Sequence, residues 1–200
     1  MQHFIDYIIK NWVETIGTIA SIIYILLSIR QSIWCWSFGI ISAIAYIFVF
    51  FSAKFYATMG LQFYYVGISI YGWFFWLHGN RDINVKELPV DRLSKKLSFI
   101  LLIISIGLFL VFSFVLRNFT DSPIPYWDAF TTSLSIVATW MIAKKILEHW
   151  IIWIVVDIVL IGLYIYQGLN ITAFLFVVYT IMAVVGFIQW KNSGKKSELT

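Results

Sequence analysis

Hydrophobic positions along this chain neither alternate nor recur at every third or fourth residue; they run on. Seven mostly apolar stretches, close to the ~20 residues that a membrane-crossing helix needs, occupy about residues 12–29, 33–53, 55–77, 97–117, 126–143, 148–167 and 170–190. Residues 99–116 and 158–189 are apolar at most positions, whereas a membrane β-strand would alternate over about ten residues. The pattern therefore predicts an all-α membrane protein with seven transmembrane helices. Its longest polar interruption is the connector 78–96. Residues 1–11 carry one lysine and no apolar core of the signal-peptide kind. His3 to Lys10 either lies at the membrane interface as a short amphipathic turn or extends the first helix.

Composition narrows the class further. Only 12% of the 200 residues are charged and 61% are hydrophobic, against about 25% charged in soluble chains. That is too little charge to cover a soluble domain, so soluble, disordered, collagen-like and disulfide-scaffold classes are excluded. The one cysteine, Cys35, has no intramolecular partner and reads as a small packing residue. Seven spans place the termini on opposite sides. One side collects Lys10, Lys54 and Arg117; the other collects eleven of the fourteen Lys and Arg residues. Positive residues favour the cytoplasmic side, so the N-terminus is expected outside and the C-terminus in the cytoplasm. No basic cluster interleaved with aromatics points to nucleic acid.

The chain also resembles itself. Trp12 matches Trp127 at a spacing of 115, Gly72 to Trp76 match Gly186 to Trp190 at 114, and Tyr65 falls on Tyr179. Trp34 and Trp36 precede or open the second span, as Trp150 and Trp153 do the sixth. Three helices repeated directly would return upside down, and the fourth span supplies the extra crossing. The expected plan is 3+1+3 with parallel repeats: 1–77, a connector and linking helix 78–117, 126–190, and a tail 191–200. Transporters built from such halves bind substrate near the bilayer midplane between the repeats.

The blocks Trp34-Cys35-Trp36-Ser37-Phe38-Gly39, Leu61-Gln62-Phe63-Tyr64-Tyr65, Ile70-Tyr71-Gly72-Trp73, Pro125-Tyr126-Trp127-Asp128 and Glu148-His149-Trp150-Ile151-Ile152-Trp153, in this order and spacing, resemble the PnuC vitamin transporters over about residues 11–190. The resemblance implies an inner-membrane facilitator that takes up nicotinamide riboside by facilitated diffusion. A cytoplasmic kinase then traps the vitamin for NAD and pyridine nucleotide synthesis. It also implies a SWEET-like fold and a homotrimer. Relatives carry thiamin, the alternative here, or riboflavin.

Asp157 is the most informative position. A carboxylate in the middle of a span is costly, and it should face the interior or a water-filled cavity. Trp150, Trp153 and Asp157 are spaced i, i+3, i+7 and share one helix face. Two indoles and an acid suit a flat cationic ring, and the resemblance assigns substrate stacking to the pair Trp150 and Trp153. The competing reading makes Trp150 an interface anchor, Trp153 a core residue and Asp157 a partner of a helix-five hydroxyl. An acid at 157, and Ser42, depart from the asparagines of enterobacterial relatives, which leaves the vitamin's identity open. Gln62, Tyr65 and Ser69 share a face of the third span, where Gln62 both donates and accepts. Trp36, Ser42 and Tyr179 complete the substrate-binding set. The hydroxyls Thr131, Thr132, Ser133, Ser135 and Thr139 read as packing residues, and the glycines as packing points or flexible ends. Glu14 and Asp128 read as helix N-terminal acids.

His3, His78 and His149 lie near span ends, with no metal-ligand spacing. Neither an enzyme nor a resident metal or cofactor is expected. A sensor subunit would carry a larger soluble part.

Overall fold

The computed structural model describes residues 12–52, 56–78, 88–120, 123–166 and 170–197. Residues 1–11, Lys54, most of the connector with Arg81 and Lys86, and residues 167–169 lie outside this set. Seven helices follow in order: α1 Trp12–Ile29, α2 Cys35–Ser52, α3 Tyr56–His78, α4 Lys95–Phe119, α5 Pro125–Ala143, α6 His149–Tyr166 and α7 Asn170–Ser197. They reproduce the seven apolar stretches. α1, α2, α4, α6 and the Ala173–Gly194 part of α7 are long and apolar enough to cross a membrane. α3 and α5 are helices of 23 and 19 residues that fall outside that set. Tyrosines and Gln62 dilute the first, and a run of hydroxyls dilutes the second.

The chain divides into two compact units, 1–88 and 89–200. In the first, α1 packs on α2 and α2 on α3. Gly17 lets α1 approach α2: a Cβ there would stand 3.2 Å from both Ala45 Cβ and the Tyr46 ring. Ser42 Oγ donates to the Gly17 carbonyl at 3.0 Å across the same crossing. Small residues at helix contacts serve this role in membranes, where packing rather than water exclusion drives association.

In the second unit α4 packs on α5, α5 on α6 and α6 on α7. Ser94 caps α4 by accepting the Leu97 N–H, and Pro125 opens α5 with its φ already helical. The segment before α4 is fastened to the α5–α6 turn. Asp91 N–H donates to Lys145 O at 2.9 Å, Leu147 N–H donates to Asp91 O at 3.0 Å, and Leu93 N–H donates to Glu148 Oε2 at 2.9 Å.

The two units repeat one another at a spacing of 114. The α1–α2 turn bonds Gln31 N–H to Ser28 O, Ser32 N–H to Leu27 O, Cys35 N–H to Ser32 O and Trp36 N–H to Ile33 O. The α5–α6 turn bonds Lys145 to Ile142, Ile146 to Met141, His149 to Ile146 and Trp150 to Leu147 in the same sense. Gln31 and Lys145 both adopt the left-handed conformation, with φ of 55° and 54°. Carried back along the uninterrupted helices, this register sets Trp12 against Tyr126. The 115 spacing of Trp12 and Trp127 is a one-residue slip in the sequence match. Trp36 pairs with Trp150, and Trp153 pairs with Gly39.

Candidate functional site

Trp36 and Trp150 sit at the centres of matching clusters. Both are buried, and each lies against a glycine one helix on. A Cβ on Gly72 would stand 2.4 Å from Trp36 Cζ2, and one on Gly186 would stand 2.6 Å from Trp150 Cζ2. Each indole also meets a second one edge-to-face: Trp36 with Trp76 at 5.3 Å, and Trp150 with Trp190 at 5.8 Å. His149, fully buried, adds its ring to the second cluster at 4.5 Å from Trp150. The indole N–H groups of Trp36 and Trp150 have no hydrogen-bond partner among the described residues.

Further along α6 the environment changes. Trp153 is half-buried. Asp157 is 5% exposed, one turn later on the same face. Among the described residues its carboxylate forms no hydrogen bond or ion pair. None of the α5 hydroxyls bonds to it, and four of them bond back to their own helix. Thr131 donates to Trp127 O, Ser133 to Phe130 O, Ser135 to Thr131 O and Thr139 to Ser135 O, at 2.7–3.0 Å. Such back-bonding makes a hydroxyl compatible with a buried helix face. On α7, Tyr179 is half-buried and meets Phe176 edge-to-face at 5.6 Å.

In the first unit, Tyr65, Ser69, Gly72 and Trp76 form one stripe of α3. Gln62 and Tyr65 are half-buried, and Ser69 is buried beside Gly39. Tyr64 and Tyr65 rings lie 5.7 Å apart. Ser42 is committed to the Gly17 carbonyl. The eight expected substrate-binding residues therefore fall in two places: Trp36, Ser42, Gln62 and Tyr65 in the first unit, and Trp150, Trp153, Asp157 and Tyr179 in the second. Among the described residues, no three His, Cys, Asp or Glu side chains come together as metal ligands.

A model of the nicotinamide mononucleotide transporter family matches residues 11–192. The chain belongs to this family. Among its relatives is the nicotinamide riboside transporter PnuC of Escherichia coli, 26% identical over 93% of this chain and 87% of that protein. Another is the riboflavin/roseoflavin transporter RibM of Streptomyces davaonensis, 24% identical over 90% of this chain and 84% of that protein. A crystal structure of the vitamin B3 transporter PnuC superposes with a TM-score of 0.73 at 24% identity, covering 92% of this chain and 83% of that one. The family is one of membrane transporters, so this multi-pass protein is a transporter and not an enzyme.

Within that family frame, the structure adds two features that the amino-acid pattern did not single out. Glu148 holds the segment before α4. Tyr24 of α1 lies against Gly39 and Trp36. A tyrosine inside an apolar helix was the available signal for the second. The first needed the fold, because Leu93 and Glu148 are 55 residues apart.

Proposed function

We propose that this protein is an inner-membrane facilitator for nicotinamide riboside. The observation that carries the reading is Asp157, an acid buried in a membrane helix with no partner among the described residues, one turn from the half-buried Trp153. A bound cation would neutralise the carboxylate, and a flat ring would stack on the indole. Nicotinamide riboside supplies both features. The amide and hydroxyls of Gln62 and Tyr65 suit its carboxamide and ribose, and Tyr179 offers a second phenol. Trp36, Trp150 and Ser42 complete the set as residues that shape the surroundings.

The vitamin crosses by facilitated diffusion and is trapped by a cytoplasmic kinase on the way to NAD. The helices form a SWEET-like 3+1+3 plan, for which the 114-residue recurrence of turns and tryptophan clusters, interrupted by α4, is the support. The N-terminus lies outside and the C-terminal tail in the cytoplasm, in keeping with the distribution of Lys and Arg. The protein assembles as a homotrimer, as the family resemblance implies.

Thiamin transport is the second reading. Asp157 favours it too, because a thiazolium is cationic and an aminopyrimidine pairs with a carboxylate. Riboflavin has a neutral ring and gains nothing from the acid. Titrating the purified protein with nicotinamide riboside, thiamin and riboflavin, while following tryptophan fluorescence, separates the three. Quenching at the lowest concentration by nicotinamide riboside is expected. Tighter binding of thiamin would replace the substrate.

A further inference from the structure

The end of the second unit at which α5 begins gathers aromatic rings around one acid. Asp128 stands in the first turn of α5. Tyr164 lies in the last turn of α6, and Phe176 in the second turn of α7. The Tyr164 and Phe176 rings approach to 5.1 Å, and Phe176 meets Tyr179 edge-to-face at 5.6 Å. The Asp128 carboxylate is near enough for its charge to act on the Tyr164 phenol. All four side chains are half-buried, so each keeps part of its surface open.

These groups lead toward the buried acid. Tyr164 follows Asp157 by seven residues, on the same face of α6, about 10 Å along the axis. Asp157 stands nine residues before the last residue of α6, and Tyr179 nine residues after the first of α7. Each is therefore about 13 Å from its helix end. Counted from that end, Asp128, Tyr164 and Phe176 come first, and Tyr179 and Asp157 come deeper. An acid attracts a cation from a distance, and open ring faces hold it. The helix dipole that favours Asp128 at the start of α5 also favours its charged form, which is the form a cation needs.

We infer that Asp128, flanked by the rings of Tyr164 and Phe176, is an entry station for a flat organic cation on its way past Tyr179 to Asp157. The inference rests on the proposed role of Asp157 and adds a second cation site ahead of it, on the outer side in the proposed orientation. A charge at such a mouth eases entry and exit alike, so it governs the rate and its salt dependence more than the affinity. The test is Asp128→Asn in proteoliposomes, reading initial uptake of labelled nicotinamide riboside far below half-saturation. Uptake is compared at about 0.01 M and about 1 M ionic strength, where charges act over about 30 Å and about 3 Å. The expected result is uptake slowed about threefold to tenfold at low salt, at the low end of electrostatic steering. At high salt the two proteins converge, and affinity in a fluorescence titration stays within about twofold. Asp128→Glu, which keeps the charge, should transport like the unaltered protein. Unchanged uptake by Asp128→Asn overturns the station and leaves Asp157 in place. A loss that is equal at both ionic strengths also overturns it, because Asp128 then supports its helix rather than the cation. Salt-independent uptake by the unaltered protein overturns it without any variant. If the unaltered protein binds none of the three vitamins, the proposed function fails and this inference falls with it.

Discussion

Trp36 lies so close to Gly72 that a single added methyl group would stand 2.4 Å from its indole. Trp150 and Gly186 repeat the arrangement 114 residues later, at 2.6 Å. Both contacts are ring against backbone between neighbouring helices, and both are closed by a second tryptophan. They pin α2 to α3 and α6 to α7.

Gly72→Ala and Gly186→Ala should each destabilise the protein by about 2–3 kcal/mol, the range for overpacking a filled core. Gly60, Gly107 and Gly162 have nothing within 4 Å of an added Cβ. Alanine at those positions should therefore leave the thermal midpoint in detergent unchanged or slightly raised. Trp36→Phe should recover part of the loss in Gly72→Ala, since the smaller ring frees the space. Equal midpoints for Gly72→Ala and Gly60→Ala would refute the pin.

Asp157→Asn should weaken nicotinamide riboside binding tenfold or more. The substitution keeps the shape and removes the charge that a buried cation would face. Asp128→Ala should have a much smaller effect, because Asp128 stands in the first turn of α5, where an acid favours the helix dipole. Equal losses in a fluorescence titration would remove Asp157 from the site.

The helices were legible because apolar run length is a strong signal in membrane chains. Each of the seven predicted stretches became a helix. The tryptophan roles were less legible. Trp150 and Trp153 share a helix face by spacing. The cluster of Trp150 with Gly186 and Trp190 is a contact between α6 and α7, and no spacing along α6 contains it. The slip of one residue at Trp12 has the same origin. A tryptophan match counts for more in sequence than its neighbour Tyr126, but the turn hydrogen bonds fix the register. Asp157 stood out because charge is so scarce. The α5 hydroxyls left two roles open in sequence, and their bonding to their own backbone emerged only from the structure.

Glu148→Ala should loosen the segment before α4. Its carboxylate accepts the Leu93 N–H at 2.9 Å, while Arg92 Nη1 lies at 4.0 Å and is mostly exposed. Hydrogen exchange at residues 90–94 should accelerate about tenfold, as expected when an amide loses a charged acceptor. Arg92→Ala should change exchange little, because exposed ion pairs contribute little. Acceleration by Arg92→Ala as large as that from Glu148→Ala would assign the fastening to the ion pair instead.

Transport of nicotinamide riboside should be insensitive to proton and sodium gradients. Coupling to protons requires a group that titrates as access changes, with neighbours that relay the proton. Among the described buried polar side chains, only Lys145, His149 and Asp157 carry an acidic or basic group. His149 is eight residues before Asp157 on α6, about 12 Å along the axis, and its ring is enclosed by Trp150 and Trp190. Asp157 has no hydrogen-bonded neighbour among the described residues to pass a proton onward. In proteoliposomes, labelled riboside should therefore equilibrate to equal concentrations inside and out, with or without a protonophore. Enclosing a riboside kinase and ATP should convert the same liposomes to net accumulation of the phosphorylated product. Accumulation of unmodified riboside above its external concentration, abolished by collapsing a gradient, would replace facilitated diffusion with coupled transport.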